Sequence, residues 1–388
     1  MHILVAPNAF KHALDAKEAA KAIQRGLLAS KLSCTCECFP VGDGGNGTCR
    51  LIGDRLQGKI VNTPVKDPLG RPISASFGWI DHGRTAIIEM ADASGLHLLE
   101  QNELDPLHAN AYGTGQLIKA ALEIGARKII VGMGGSATVD GGSGILAALG
   151  VCFLDEDGEE IMDLPFGLQK LHAIDRSAMD KRLQECELTI LCDVTNPLLG
   201  ENGAAHIFGP QKGATPEMVE TLEAILQHYA AVILSETGTA ISTMASGGVA
   251  GGASAGLKGV LNAELVNGID YFLELTQFDK SLLKSDWVIT GEGSIDSQTL
   301  QGKGPYGVAK RAKRFGVSVI GLAGSIPMEI DDELSHYFDV LLAIGNEPSS
   351  LAEALATTSQ NLSRVAMQLG NLLAGLRSSY PHVHADHK

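Results

Sequence analysis

WVITGEGSIDSQTLQGKGP, residues Trp287–Pro305, is the stretch that decides the fold. It opens with an apolar, β-prone run, Trp287–Thr290, which predicts a buried strand. The run then breaks into a predicted loop in which Gly291 and Gly293 flank Glu292. Glycines allow positive φ angles and close approach to a ligand, and open parallel sheets bind ligands beyond the carboxyl ends of their strands. The stretch therefore predicts a site at a strand end. The alternative is a plain turn with a solvated polar loop.

Length and composition limit the class of protein. The chain has 388 residues, enough for two domains, and its hydrophobic fraction of 45% is ordinary for a globular protein. No apolar run reaches transmembrane length, and we expect no signal peptide. Seven cysteines without a C-x-x-C pair indicate reduced thiols and a cytoplasmic protein. The net charge of −15 argues against nucleic acid and membrane partners. The oligomeric state stays open, and a homo-oligomer is compatible with the sequence.

Strands and helices alternate at both ends of the chain but not in its middle. The strand predicted at His2–Ala6 begins a β-α-β series, whereas Lys59–Ala91 has shorter strands with turn signals typical of hairpins. We therefore expect an α/β fold with a doubly wound, mostly parallel, Rossmann-like sheet domain formed by residues 1–72 and 263–388. A second, mixed α/β domain is predicted as an insertion at 73–262, with the active site in the cleft between the two.

Local signals place several helices. Asp15 and Glu18 have the spacing of a capping box. Thr215 followed by a proline predicts the start of a long amphipathic helix. Ser350 with Glu353 predicts another capped helix near the C-terminus.

Four further loops follow predicted strands and carry polar side chains. The third is the best phosphate cradle in the chain, because its glycines expose backbone N–H groups before a predicted helix. The four are Pro7–Lys11 with Asn8 and Lys11; Gly42–Thr48 with Asp43, Gly44 and Gly45; Gly132–Gly142 with Gly134, Gly135, Ser136 and Thr138; and Asp193–Pro197 with Asn196, together with Phe208–Gly213 and its Lys212.

The third loop also supports a competing hypothesis. Gly132, Gly134 and Ala137 fit the G-x-G-x-x-A dinucleotide fingerprint, and Asp155 lies near where a ribose-binding acid is expected. Against this, polar residues continue to Gly142, where a dinucleotide fold would already have begun its helix. A P-loop kinase is excluded because no strand is followed by G-x-x-x-x-G-K-[ST], and protein-kinase signatures are absent.

Taken together, these loops resemble the type-1 glycerate kinase family nearly end to end. The motifs that carry the resemblance are Ala6–Lys11, Asp43–Thr48, Gly134–Thr138 with Asp140–Gly142, Cys192–Leu198, Phe208–Gly213, and Thr290–Gly293 with Asp296, Gln298, Gly302 and Lys303. Many members have Asp-Ser where this chain has Asn8-Ala9, and Glu where it has Asn46. Both departures remove a carboxylate, so neither position supplies an essential acid here.

The resemblance implies that ATP, with Mg²⁺, phosphorylates D-glycerate to 2-phosphoglycerate. Carboxylates are hard ligands suited to Mg²⁺, and lysines can hold a carboxylate or a migrating phosphoryl group. On this basis the implied catalytic residues are Asp193, Lys11 and Lys303, and the implied metal ligands are Glu292 and Asp296. Substrate or nucleotide binding is implied for Asn8, Asp43, Gly44, Gly45, Gly134, Gly135, Ser136, Thr138, Asn196, Lys212 and Gln298. Which carboxylate is the base and which binds metal stays open.

Two other functions remain as alternatives. One is an NAD-dependent oxidoreductase acting on a small hydroxy acid, which rests on the dinucleotide fingerprint. The other is a regulatory protein that binds a sugar acid without catalysis, motivated by Asn8 and Asn46. Intact Asp193, Glu292 and Asp296 argue against the regulatory protein.

Overall fold

A computed structural model describes residues 1–80, 84–296, 299 and 302–379. The strands are β1 (His2–Val5), β2 (Thr35–Cys38), β3 (Lys59–Lys66), β4 (Pro72–Ile80), β5 (Thr85–Glu89), β6 (Lys128–Gly132), β7 (Cys152–Leu154), β8 (Ala173–Asp175), β9 (Glu187–Cys192), β10 (Glu264–Asn267), β11 (Trp287–Ser294), β12 (Ser318–Ser325) and β13 (Val340–Ala343). The α-helices are α1 (Ala16–Leu28), α2 (Thr48–Arg55), α3 (Ala91–Ser94), α4 (Tyr112–Glu123), α5 (Ser143–Ala148), α6 (Ala204–Phe208), α7 (Pro216–Thr237), α8 (Val249–Leu261), α9 (Gly268–Leu275), α10 (Phe278–Leu282), α11 (Gly304–Arg314), α12 (Asp332–Tyr337), α13 (Leu351–Ala356) and α14 (Thr358–Ser379).

The chain forms two compact units. The first comprises Met1–Asp43 and Phe272–Lys388, and the second comprises Gly44–Tyr271. In the described part of the first unit, a parallel sheet has the strand order β13-β12-β11-β1-β2. β1 from the N-terminal segment therefore lies beside β11 from the C-terminal segment, and both ends of the chain share one sheet. The predicted doubly wound α/β fold class is confirmed.

Helix packing closes one face of this sheet. Asp15 caps α1 and forms the predicted capping box with Glu18. The buried face of α1, which includes Ile23 and Leu27, contacts α14, whose Leu362 and Ala366 are also buried. The predicted cap at Ser350 is present as well, at the start of α13. Local capping signals therefore fix the helix starts, and apolar faces place the helices against the strands.

The second unit has a mixed sheet. Its order is β10-β9-β6-β5-β4-β3; the β3–β4 and β4–β5 pairs are antiparallel, and the other pairs are parallel. β7 and β8 form a separate antiparallel pair. The hairpins predicted at Lys59–Ala91 are present. The long α7 begins at its predicted Thr215 cap and buries an apolar stripe that includes Leu222 and Ile233.

The predicted domain boundaries differ from the observed units. We expected residues 44–72 to belong with the N-terminal strands, and the structure assigns them to the second unit. The reason is that β3 pairs with β4 along its full length, from Lys59↔Trp79 to Lys66↔Pro72. The second boundary lies between Tyr271 and Phe272 rather than between 262 and 263, because β10 pairs with β9.

β11 is longer than its apolar run predicts. It continues through Gly291, Glu292 and Gly293 to Ser294, and it stays paired with β12 to the end. A Cβ atom at Gly291 would overlap the Leu322 backbone oxygen, so glycine permits this close pairing. The predicted loop at 291–293 is therefore wrong: Glu292 projects from a strand.

Some sequence features lie outside the described residues. These are the site candidate Gln298, the turn signal His82-Gly83 and the C-terminal histidines. Over the described ranges, no helix is both long and apolar enough to cross a membrane.

Candidate active site

The carboxyl end of β11 places an acidic group in the first unit. Glu292 is buried, and its Oε1 accepts a hydrogen bond from the Thr299 hydroxyl at 3.0 Å. The same hydroxyl oxygen accepts the backbone N–H of Asp296 at 3.1 Å. Thr299 therefore ties the two predicted metal ligands together. Sequence reasoning missed Thr299, because no local sequence pattern marks a threonine whose hydrogen-bond partners are determined by the fold of its loop.

Asn8 and Asp43 lie beside this group. Asn8 Nδ2 donates to Asp43 Oδ2 at 2.8 Å, and the Asn8 backbone N–H donates to the Gly291 carbonyl at 2.8 Å. The N–H of Gly304, at the start of α11, also donates to Asp43 Oδ2 at 3.4 Å. The loop after β1, the loop after β2 and the start of α11 therefore converge next to β11.

The electrostatics of Glu292 connect it to the predicted lysines. Burial raises the pKa of Glu292 to about 7, and the negative charge of Asp43 acts in the same direction. The ammonium groups of Lys303 and Lys11 oppose the increase in this pKa. The first unit thus brings together four predicted site residues with interacting charges, at the strand end where an α/β sheet binds ligands.

Two glycine turns meet in the second unit. A Cβ atom at Gly134 would overlap the Asn46 backbone nitrogen and would lie 2.6 Å from Gly45 Cα. Gly44, with φ of +98°, packs against the end of β9, where an added Cβ would lie 3.2 Å from the Leu191 backbone. Residues 44–47 and 134–135 therefore contact each other backbone to backbone, and this contact excludes side chains. Exposed N–H groups in such turns can bind anions.

Lys212 supports the second of these turns from inside. Its side chain is buried, and its Nζ donates to the Ser136 hydroxyl at 2.8 Å and to the Thr138 carbonyl at 2.6 Å. Burial lowers the pKa of Lys212 to about 7, while the nearby Asp140 opposes this. Lys212 therefore holds the predicted phosphate loop through short hydrogen bonds.

Asp140 anchors the far end of the same loop. Its buried carboxylate accepts the N–H groups of Ala111 at 2.8 Å, Gly142 at 3.1 Å and Gly144 at 3.1 Å. Burial raises the pKa of Asp140, and the three backbone donors oppose the increase. The carboxylate thus joins the starts of α4 and α5.

Asp193 follows β9, the strand next to β6. Asp193 is half-buried. Burial raises the pKa of Cys192 to about 12, and the negative charge of the neighbouring Asp193 adds to this increase. Asn196 Nδ2 donates to the Asn202 carbonyl at 2.9 Å, a bond within its own loop. Asp193 therefore lies at the same sheet edge as the two glycine turns.

Glu89 is a second residue that sequence reasoning missed. It is buried at the end of β5, and its Oε1 accepts the N–H groups of Cys49 at 2.7 Å and Arg50 at 3.3 Å. Burial raises the pKa of Glu89 to about 7 against these donors. The sequence did contain a signal for it, because Glu89 is an acidic residue at the end of the apolar run Thr85–Glu89.

The dinucleotide interpretation is not supported. α5 begins only at Ser143, so no helix starts within the fingerprint of Gly132 and Gly134. Asp155 follows β7, which pairs with β8 outside the main sheet, and its carboxylate accepts N–H groups of Asp157 and Glu159 in its own turn. It therefore serves as a turn residue, which removes the basis for an NAD-dependent oxidoreductase.

Comparisons with known proteins agree with this geometry. A sequence profile of the glycerate kinase family matches residues 3–374. The chain belongs to the glycerate kinase family.

Relatives match this glycerate kinase family member along nearly its whole length. It is 43% identical to a glycerate kinase of Bacillus subtilis (strain 168), over 95% of this chain and 97% of that protein. It is 41% identical to a glycerate 2-kinase of Escherichia coli (strain K12), over 98% and 100% of the two chains. A crystal structure described as a glycerate kinase 2 from Salmonella typhimurium LT2 superposes with a TM-score of 0.82 at 40% identity, covering 97% and 99%. The comparisons therefore identify an enzyme, a kinase.

Proposed function

We propose that this kinase transfers the γ-phosphoryl group of ATP to D-glycerate and releases 2-phosphoglycerate. The observation that carries the proposal is the charged group at the end of β11, where Glu292, Asp43, Lys11 and Lys303 interact. Membership of the glycerate kinase family supports the acceptor, and the name of the glycerate 2-kinase relative supports the position phosphorylated.

Phosphoryl transfer needs positioning and charge neutralisation more than covalent chemistry from the protein. The turn at Gly134–Thr138 offers backbone N–H groups for phosphate oxygens. Lys11 and Lys303 supply positive charge for the glycerate carboxylate and the migrating phosphoryl group. Asp193 accepts the proton of the attacking hydroxyl and orients that hydroxyl.

Mg²⁺ fits the oxygen donors of the first unit. Glu292 and Asp296 are hard ligands linked through Thr299. Among the described residues no group of three or more His, Cys, Asp or Glu side chains could hold a metal. Mg²⁺ commonly takes only one or two protein carboxylates and completes its shell with phosphates and water. Glu292 and Asp296 would therefore hold it together with the nucleotide. When bound, the ion would neutralise charge on the phosphate oxygens.

The reaction itself tests the proposal. The purified protein is incubated with D-glycerate, ATP and MgCl₂, ADP release is followed, and the product is examined by phosphorus NMR. We expect 2-phosphoglycerate. The 3-phosphate as product would overturn the regiochemistry and leave the kinase intact, whereas no ADP release with glycerate would overturn the proposed acceptor.

A further inference from the structure

Glu89 contacts α2 and β6, the two elements next to the glycine turns. Its side chain reaches from the end of β5 to the first turn of α2, where Oε1 accepts the N–H groups of Cys49 and Arg50. A remote carboxylate thus takes the role that a capping side chain normally has, since Gly47 at the cap position has none. The charge of the carboxylate also suits the positive end of the helix.

The other carboxylate oxygen faces β6. Glu89 pairs in register with Gly132, the last residue of β6. A Cβ atom at Gly132 would lie 3.3 Å from Glu89 Oε2 and 2.9 Å from Cys49 Sγ. This oxygen is buried and has no hydrogen-bond partner among the residues that the structure describes. Position 89 therefore requires a side chain as long as glutamate. The space beside its carboxylate is occupied by Gly132 and Cys49.

Both elements that Glu89 contacts lead directly to a glycine turn. Residues 44–47 precede α2, and residues 133–135 follow β6. These turns contact each other where Gly134 faces Gly45 and Asn46. A shift of α2 relative to β6 would therefore open the contact between the turns.

We propose that Glu89 is a positioning residue of this kinase, whose reach from β5 to the start of α2 holds the two glycine turns in register for binding nucleotide phosphates. The inference rests on the proposed function, because it takes the turns as the nucleotide site. Glu89 accepts hydrogen bonds from the backbone N–H groups of Cys49 and Arg50, so it acts through backbone position.

Two conservative variants of Glu89 separate the effect of side-chain length from the effect of charge. Glu89→Gln keeps the length and an acceptor oxygen but loses the charge, and Glu89→Asp keeps the charge but is one methylene shorter. The Kd for ATP with Mg²⁺ is measured by calorimetry without glycerate, and kcat with glycerate. We expect the Asp variant to weaken ATP binding about tenfold, with kcat at saturation falling less than about threefold. The Gln variant should restore binding to within about threefold of the wild type.

Three results would overturn the inference. Equal impairment of both variants would show that side-chain length does not by itself determine ATP binding, and unchanged ATP binding in a folded Asp variant would leave Glu89 a purely structural cap. If the Asp variant does not fold, Gly132→Ala replaces it, because the added methyl group would lie 2.9 Å from Cys49 Sγ and 3.3 Å from Glu89 Oε2 and would press on both side chains. Unchanged ATP binding in this variant would also refute positioning. Asp92→Asn is the matched control, since Asp92 is a nearby acid that accepts none of these N–H groups, and it should bind ATP normally.

Amide exchange distinguishes this inference from the proposed function. Measured by mass spectrometry, exchange at 44–52 and 132–138 should accelerate together in the Asp variant and not in the Gln variant. Independent behaviour of the two segments would refute the coupling. If the wild type binds ATP but does not phosphorylate glycerate, the proposed acceptor fails while the Glu89 inference stands on binding and exchange. If the wild type does not bind ATP, both fail.

Discussion

Asp140 Oδ2 accepts the backbone N–H of Ala111 at 2.8 Å, so a loop carboxylate closes the start of α4, whose N-cap residue lies 29 residues earlier in the chain. The same side chain takes the N–H groups of Gly142 and Gly144. One carboxylate therefore satisfies three buried donors, each of which would be costly to leave unpaired. Asp140 therefore connects this end of the predicted phosphate loop to the start of α4 through a backbone hydrogen bond.

Asp140→Asn should destabilise the protein. An amide keeps the size of the side chain but turns an NH₂ group toward backbone donors, so at least one N–H loses its acceptor. We expect the free energy of unfolding to fall by about 2–3 kcal/mol, measured by urea denaturation. Asp157→Asn, at an exposed turn, should change it by less than about 0.5 kcal/mol. Equal effects of the two substitutions would contradict this account of the loop.

Glu89 should make stability depend on pH. Its folded pKa of about 7 lies above its ordinary value of 4.5, because burial disfavours the charged form. The stability it contributes is thus fully present below pH 4.5 and is lost as pH rises through 7. Relative to Glu89→Gln, the wild type should lose on the order of 3 kcal/mol between pH 4.5 and pH 8. Unfolding curves of the two proteins that stay parallel across this range would disprove the shift.

The lysines of the first unit should be needed for turnover and not for folding. Lys303→Ala and Lys11→Ala remove positive charge beside Glu292, and we expect kcat to fall by about a hundredfold or more with a smaller change in KM. The assay is ADP release with D-glycerate, paired with a thermal melt. Lys31→Ala, on the exposed surface of the same unit, is the control and should match the wild type. Near-normal kcat in both site variants would exclude this group from the active site.

Asp193→Asn tests the second unit. The change keeps the shape of the loop and removes the charge, so a base for the attacking hydroxyl would be lost. We expect kcat to fall by about 10²–10⁴-fold, with an unchanged melting temperature. Glu201→Gln changes an exposed acid in the loop that follows and should leave kcat unaltered. Full activity of the Asn variant would assign the base to another carboxylate.

Local patterns predicted the elements, and tertiary contacts determined the rest. The caps at Asp15 and Thr215 were predicted from a few neighbouring residues, because capping is a local interaction. The sequence could not predict which sheet contains β3. Alternation of apolar and polar residues specifies which face of a strand is buried, but not which strand it pairs with. β11 was predicted too short because glycines usually end a strand, whereas here they permit close pairing with β12.

In the candidate site, too, local motifs were predictable and residues that depend on tertiary contacts were not. Motif residues such as Glu292, Asp43 and Lys303 were predicted, and the structure brings them together in the first unit. Thr299 and Glu89 were not, because each matters only through partners distant in the folded chain. Lys212 was predicted as a substrate ligand from its charge, and its burial against Ser136 depends on packing that no spacing reveals.

Gly134→Ala should expose how tightly the two glycine turns meet. The added methyl group would overlap the Asn46 backbone and lie 2.6 Å from Gly45 Cα, so the turns must separate. We expect a loss of about 1–3 kcal/mol in the free energy of unfolding, together with weaker ATP binding. Gly53→Ala is the matched control, because this helical glycine of α2 has nothing within 4 Å of an added Cβ. Alanine is the better helix former, so the control should gain up to about 1 kcal/mol. The two substitutions add the same methyl group and should shift stability in opposite directions; a shift of the same sign in both would mean that the turns are not packed as the structure has them.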